Sequence, residues 1–80
     1  MSDSVSMWVI YDHPKDYPKN FVARRWVVAG KGVGKSCPTQ DEKLADTLHE
    51  LRESLRSQHP GLTVIPRDQG DDPVIVESWI

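Results

Sequence analysis

A single cysteine, Cys37, in 80 residues excludes an internal disulfide and, on its own, a cysteine-based zinc site. Neither usual support of a small fold is therefore expected, and a reducing, cytoplasmic compartment fits best. No apolar run approaches the ~18 residues of a membrane span, and Met1-Ser2-Asp3-Ser4 lacks the basic segment of a signal peptide, so neither is expected. The chain also lacks a large charge of one sign: its net charge is -2. That small value hides an uneven distribution. Residues 1-37 carry six Lys/Arg against three Asp/Glu, and residues 38-80 four against nine, giving halves of +3 and -5. A basic patch and an acidic patch on one small body bear on partner steering more than on fold.

At 9.1 kDa a second domain would have no core of its own, so residues 1-80 form one domain. With 38% hydrophobic and 28% charged residues it should fold rather than stay disordered. Its core is expected to be thin. Apolar burial at roughly 25 cal/mol per Å2 only just exceeds an ordering entropy of about 1.5 kcal/mol per residue in chains this short. Little structure is left over for a deep catalytic cleft.

Met7 to Tyr11 and Phe21 to Ala29 are apolar and β-prone and flank the turn residues Asp12-His13-Pro14 and Tyr17-Pro18-Lys19-Asn20, which predicts a hairpin. Thr39-Gln40-Asp41-Glu42 has the capping-box pattern, and Leu44, Leu48, Leu51 and Leu55 follow at helical spacing. Together they predict a helix of about 18 residues ending at Pro60-Gly61. Leu62 to Ile65 and Val74 to Ile80 read as two more strands. The expected class is α+β, in the order β-β-α-β-β, with a four-stranded antiparallel sheet and one helix on one face. Since a single helix covers one face only, some of Trp8, Trp26, Ile75 and Trp79 are expected on the open side, with Trp26, Ile75 and Trp79 the candidates for an aromatic contact surface there. The bland alternative places the tryptophans in the core.

No catalytic, cofactor-binding or metal-ligating constellation stands out. The string Ala29 to Ser36 ends in G-K-S and mimics a phosphate-binding loop, but its leading Gly is replaced by Ala29 and Cys37-Pro38 interrupts the helix start that such loops need. It reads as a flexible Gly/Lys loop. His13 between Asp12 and Asp16 lacks a nucleophile partner, and turn chemistry explains that segment equally well. His49 and His59 lack metal-ligand spacing. Glu42, Asp46 and Glu53 fall within about 40° of one another on the expected helix, opposite the leucines, with Glu50 beside them. With Asp71 and Asp72 in the last turn they form either a solvated face or an acidic surface matched to a basic groove on a partner. Arg24, Arg25, Lys31 and Lys35 make a basic region too thin for a nucleic-acid site in a chain that is acidic overall.

The string W-V-I-Y-D-H-P-K-D-Y-P (Trp8 to Pro18), followed by F-V-A-R-R-W (Phe21 to Trp26) and D-D-P-V-I-V-E-S-W (Asp71 to Trp79), resembles a family of short, uncharacterised proteins of alphaproteobacteria and their phages. In that setting the chain also looks like an anti-CRISPR inhibitor of the type I-C kind. The resemblance implies a non-enzymatic protein of the bacterial cytoplasm. It would bind subunits of a Cascade-type CRISPR surveillance complex and block target DNA, without itself contacting nucleic acid or membrane. The acidic residues Glu42, Asp46, Glu50, Glu53, Asp71 and Asp72 are the first candidates for that contact. Trp26, Ile75 and Trp79 are the alternative, as an interaction module for some other partner.

The G-K-S segment is expected to bind no nucleotide. Calorimetric titration of ATP or GTP with magnesium should give no saturable heat, whereas micromolar binding abolished by Lys35→Ala would contradict the loop reading.

Overall fold

The computed structural model describes residues 5-28, 36-67 and 69-80. The expectation of a mobile Gly/Lys loop concerns residues 29-35, which lie outside them. Five strands and one helix follow one another as β1 (Val5–Asp12), β2 (Phe21–Val28), β3 (Ser36–Ala45), α1 (Leu48–Gln58), β4 (Val64–Pro66) and β5 (Ile75–Trp79). The sheet is antiparallel throughout with strand order β3-β2-β1-β5-β4, so the class is α+β as expected, with five strands rather than four.

The extra strand comes from the expected first half of the helix. Ser36–Ala45 pairs along β2, and the helix begins only at Leu48, capped by Thr47, whose hydroxyl accepts from the Glu50 N–H at 3.2 Å. Thr47-Leu48-His49-Glu50 is thus a second T-x-x-E string, and it is the one used as a helix start. Thr39 instead ties the edge of the sheet. Its hydroxyl donates to the Arg25 carbonyl at 2.9 Å and accepts from the Asp41 N–H at 3.1 Å. An 11-residue helix needs only Leu48, Leu51 and Leu55 to hold it on the sheet, and Leu44 is 44% exposed on β3. The strand expected over Leu62 to Ile65 begins at Val64, while Leu62 packs against the core from the preceding loop.

The core lies between α1 and one face of the sheet, where Leu51 and Leu55 meet Trp8, Ile10, Ala23 and Trp79. Trp8 and Trp79 are therefore core residues, at 5% and 1% exposure, and not part of the open side. For Trp79 the reason lies in the pairing of β5 with β1. Ile10 faces Glu77 and Tyr11 faces Ile75, so one step along β1 matches two along β5 and Val76 is the extra residue of a bulge. The bulge breaks the alternation that would put Ile75, Glu77 and Trp79 on one face. Glu77 and Trp79 turn toward the helix, and Ile75 turns away.

Glu77 is the buried charge of this layer, at 5% exposure. The Arg52 guanidinium from α1 grips it with two hydrogen bonds, 3.0 Å from Nε and 2.6 Å from Nη2, and the Trp79 indole N–H donates a third at 2.7 Å. Burial by itself would push the carboxyl up. The hydrogen bonds from Arg52 and Trp79, with the charges of Arg52 and Arg56, outweigh burial and hold Glu77 below the usual glutamate value. The hydrogen bond to Glu77 likewise raises Arg52 against the cost of its own burial.

Two outcomes follow for stability. Leu51→Ala and Leu55→Ala, which truncate fully buried side chains, should each cost about 2-5 kcal/mol, while Leu44→Ala should cost less than about 1 kcal/mol because its side chain is on a half-open edge strand. Denaturant unfolding checks both, and a large loss at Leu44 would put residues 41-45 back on the helix. Because the folded Glu77 has a lowered pKa, its contribution is complete above the unfolded value near 4.5 and is lost as pH falls through the lower folded value. Glu77→Gln should therefore cost about 1-3 kcal/mol at neutral pH, and the gap to the unmodified protein should narrow as unfolding is measured at successively more acidic pH.

Candidate functional site

The face of the sheet turned away from α1 divides into a polar corner and an apolar groove. Cross-strand partners share a face, so Met7, Val9 and Tyr11 of β1 stand beside Trp26, Arg24 and Val22 of β2. On the outer side of β2, Glu42 and Leu44 continue the same face from β3.

The β1-β2 connection closes the polar corner. Asp16 and Glu42 both bind the Arg24 guanidinium, Glu42 at 2.6 Å, and the Tyr17 hydroxyl donates to Glu42 at 3.4 Å. Arg24 lies over the Tyr11 ring, 5.2 Å from its centre. Burial opposes the Arg24 charge, but Glu42 and Asp16 together outweigh it and raise the pKa above that of an ordinary arginine. Beneath this cluster Val22 is wholly buried, although no helix covers it.

Beyond Tyr11 the described residues leave a concavity on this face. Met7, Tyr11, Trp26, Asp71, Ile75 and Ser78 line a pocket of about 210 Å3 together with Val9, itself only 5% exposed. The Trp26 indole N–H donates to the Tyr11 hydroxyl at 3.2 Å, which fixes both rings and leaves the Tyr11 proton to donate elsewhere. Ile65, 44% exposed, pairs with Ser78 and extends the apolar surface along β4. A second, more polar pocket of about 410 Å3 lies on the helix side among Trp8, Arg25, Gln40, Asp41, Lys43 and His59. Its cations are already engaged. Lys43 hydrogen-bonds Gln58 and lies over Trp8, and Arg25 pairs with Asp41 at 2.7 Å.

The structure separates the acidic residues expected to share a helix face. Glu42 lies on β3 bound to Arg24 and Asp46 in the turn before α1, facing Asn20 at 3.4 Å; only Glu50 and Glu53 are on the helix, the latter paired with Arg56 at 2.9 Å. The row does not form because the helix starts too late to include its first two members. Asp71 and Asp72 do fall in the last turn, where the Asp72 carboxylate accepts from the Val74 N–H at 3.1 Å. Of the aromatic alternative, Trp26 and Ile75 come together in the groove and Trp79 does not. Met7, Val9 and Tyr11 were missed as groove residues, though their alternation along β1 with the core residues Trp8 and Ile10 marks them as one face.

His13 begins a turn, with φ at 50° and its ring edge-on to Phe21 at 4.9 Å. His49 is exposed on α1, and His59 closes the helix with its ring 5.4 Å from that of Trp8. Among the described residues no group of three or more His, Cys, Asp or Glu side chains could hold a metal ion, and no helix is long and apolar enough to cross a membrane. Comparison with protein-family models, with curated proteins and with solved structures finds no match to this chain.

Proposed function

We propose that this chain is a non-enzymatic binding domain that engages a protein partner through the open face of its sheet. The half-buried Met7, Tyr11, Trp26 and Ile75 form the centre of that contact, over the buried Val9. The observation that carries this reading is the groove itself, an aromatic and aliphatic concavity beside the polar corner, on the face of the sheet turned away from the only helix among the described residues. At about 210 Å3 it is smaller than the roughly 300-1,000 Å3 typical of small-molecule sites. A hot-spot residue of a partner, anchored in such a pocket and ringed by polar contacts, is the usual way a pocket of this size contributes to affinity. Tyr11, Trp26 and Met7 are half-buried there, and aromatics and methionine are the residue types enriched at interface centres.

The family resemblance supplies the partner to try first, a type I-C Cascade-type complex, with the chain acting as a stoichiometric anti-CRISPR inhibitor of target-DNA binding. The separation of Glu42 and Asp46 from the helix, and the pairing of Glu42 and Glu53 with arginines, favour the groove over the acidic residues as the contact.

Binding of the chain to the purified complex, and its effect on target-DNA capture, tests both statements. Trp26→Ala with Ile75→Ser should weaken binding about 30-fold or more, the loss expected for a hot spot of about 2 kcal/mol or above, in a variant whose thermal unfolding remains cooperative. Reversal of Asp46, Glu50 and Glu53 to Lys should change affinity far less. The opposite ranking would move the contact to the acidic surface, and absence of binding by the unmodified chain would remove this complex as the partner.

A further inference from the structure

We infer that the groove is a pocket for an arginine side chain of the partner, its guanidinium stacked on Trp26 with its N–H groups directed to Asp71. The inference rests on the open face being a protein-binding surface, and it names the chemistry that surface selects.

Two observations carry it. First, the groove pairs an aromatic wall with a carboxylate. Trp26 and Tyr11 are held in place by their mutual hydrogen bond, and Asp71 lines the same pocket. A planar guanidinium stacks on an aromatic face while its N–H groups reach a carboxylate, which a compact ammonium does less well. Asp71 also takes part in an interaction within the chain. A carboxylate offers about four acceptor positions and can receive a guanidinium in addition.

Second, the protein already uses this arrangement on itself. On the same face, Arg24 lies over Tyr11 with its head held by Asp16 and Glu42. On the opposite face, Arg56 lies over Trp79, 5.4 Å from the ring centre, close to the Glu77 carboxylate that Trp79 and Arg52 share. Trp26 with Asp71 repeats the aromatic and the acid. Charge supports the same occupant, since the charged residue lining the groove is Asp71, while Asp16 and Glu42 on the same face are taken up by Arg24. A partner surface of complementary sign is basic.

N-acetyl-arginine amide, N-acetyl-citrulline amide and N-acetyl-norleucine amide, each titrated into isotope-labelled protein, test the inference through the indole N–H resonance of Trp26 and the backbone resonances of Ile75 and Ser78. Arginine amide should shift them saturably. Citrulline amide, which keeps the shape and loses the charge, should bind about tenfold more weakly, and Asp71→Asn, a size-preserving change at an exposed residue, should abolish that difference. Equal affinities, or an arginine preference that survives Asp71→Asn, overturn the arginine assignment. If norleucine amide then still saturates the same resonances, the groove stands as a docking site of purely apolar character and the proposed function is untouched. Failure of every probe to shift these resonances up to its solubility limit overturns the side-chain pocket, while binding to the Cascade-type complex decides the broader reading separately.

Discussion

Glu77 sits in the layer between helix and sheet, where an ion without partners would cost several kcal/mol. Each neighbouring element is arranged to answer its charge. Arg52 comes from α1, one residue after the core residue Leu51, so the helix can bring its guanidinium to Glu77 only when the leucine stripe is seated. The Trp79 indole donates from two positions along the same strand, and the pairing of Glu77 with the core residue Ile10, next to the bulge at Val76, faces the carboxylate inward. Apolar packing is not directional, but this ion pair is, and it selects one seating of α1 on the sheet from those the leucines alone would allow.

The same bulge couples the core to the groove. Had β5 alternated strictly through Val76, Ile75 would share a face with Glu77 and Trp79 and would not line the pocket beside Tyr11. One irregularity thus lets β5 serve both sides of the sheet: the charge and the indole stay under the helix while Ile75 becomes an aliphatic wall of the groove.

Much of this architecture was legible in the sequence. The β1-β2 hairpin, the class and the Leu48, Leu51 and Leu55 stripe follow from periodicity and turn chemistry. The helix start did not, because Thr39 to Glu42 and Thr47 to Glu50 both carry the capping-box pattern and Asp41 to Ala45 has good helix-forming residues. Pairing with β2 overrides that local preference and makes Glu42 and Lys43 strand residues. Once β3 takes those residues, the acidic row dissolves. Trp79 was misplaced for a different reason, since strict alternation has no means of anticipating a bulge. Trp26 survived as a groove residue because β2 keeps its alternation opposite β1.

The margins of the sheet carry one more implication. The outer strand β3 contains Pro38, which has no N–H to offer, and its pairing shifts register between Arg24 and Trp26; the other outer strand, β4, is three residues long and ends in Pro66. Such margins resist the addition of a foreign strand. Recognition by main-chain hydrogen bonding along an edge is thereby discouraged, and whatever docks must be read by its side chains. A partner need not then present an extended segment: a helix, a loop or a folded surface could satisfy the same face, and changes of backbone there would matter less than the identity of the few residues pointing inward.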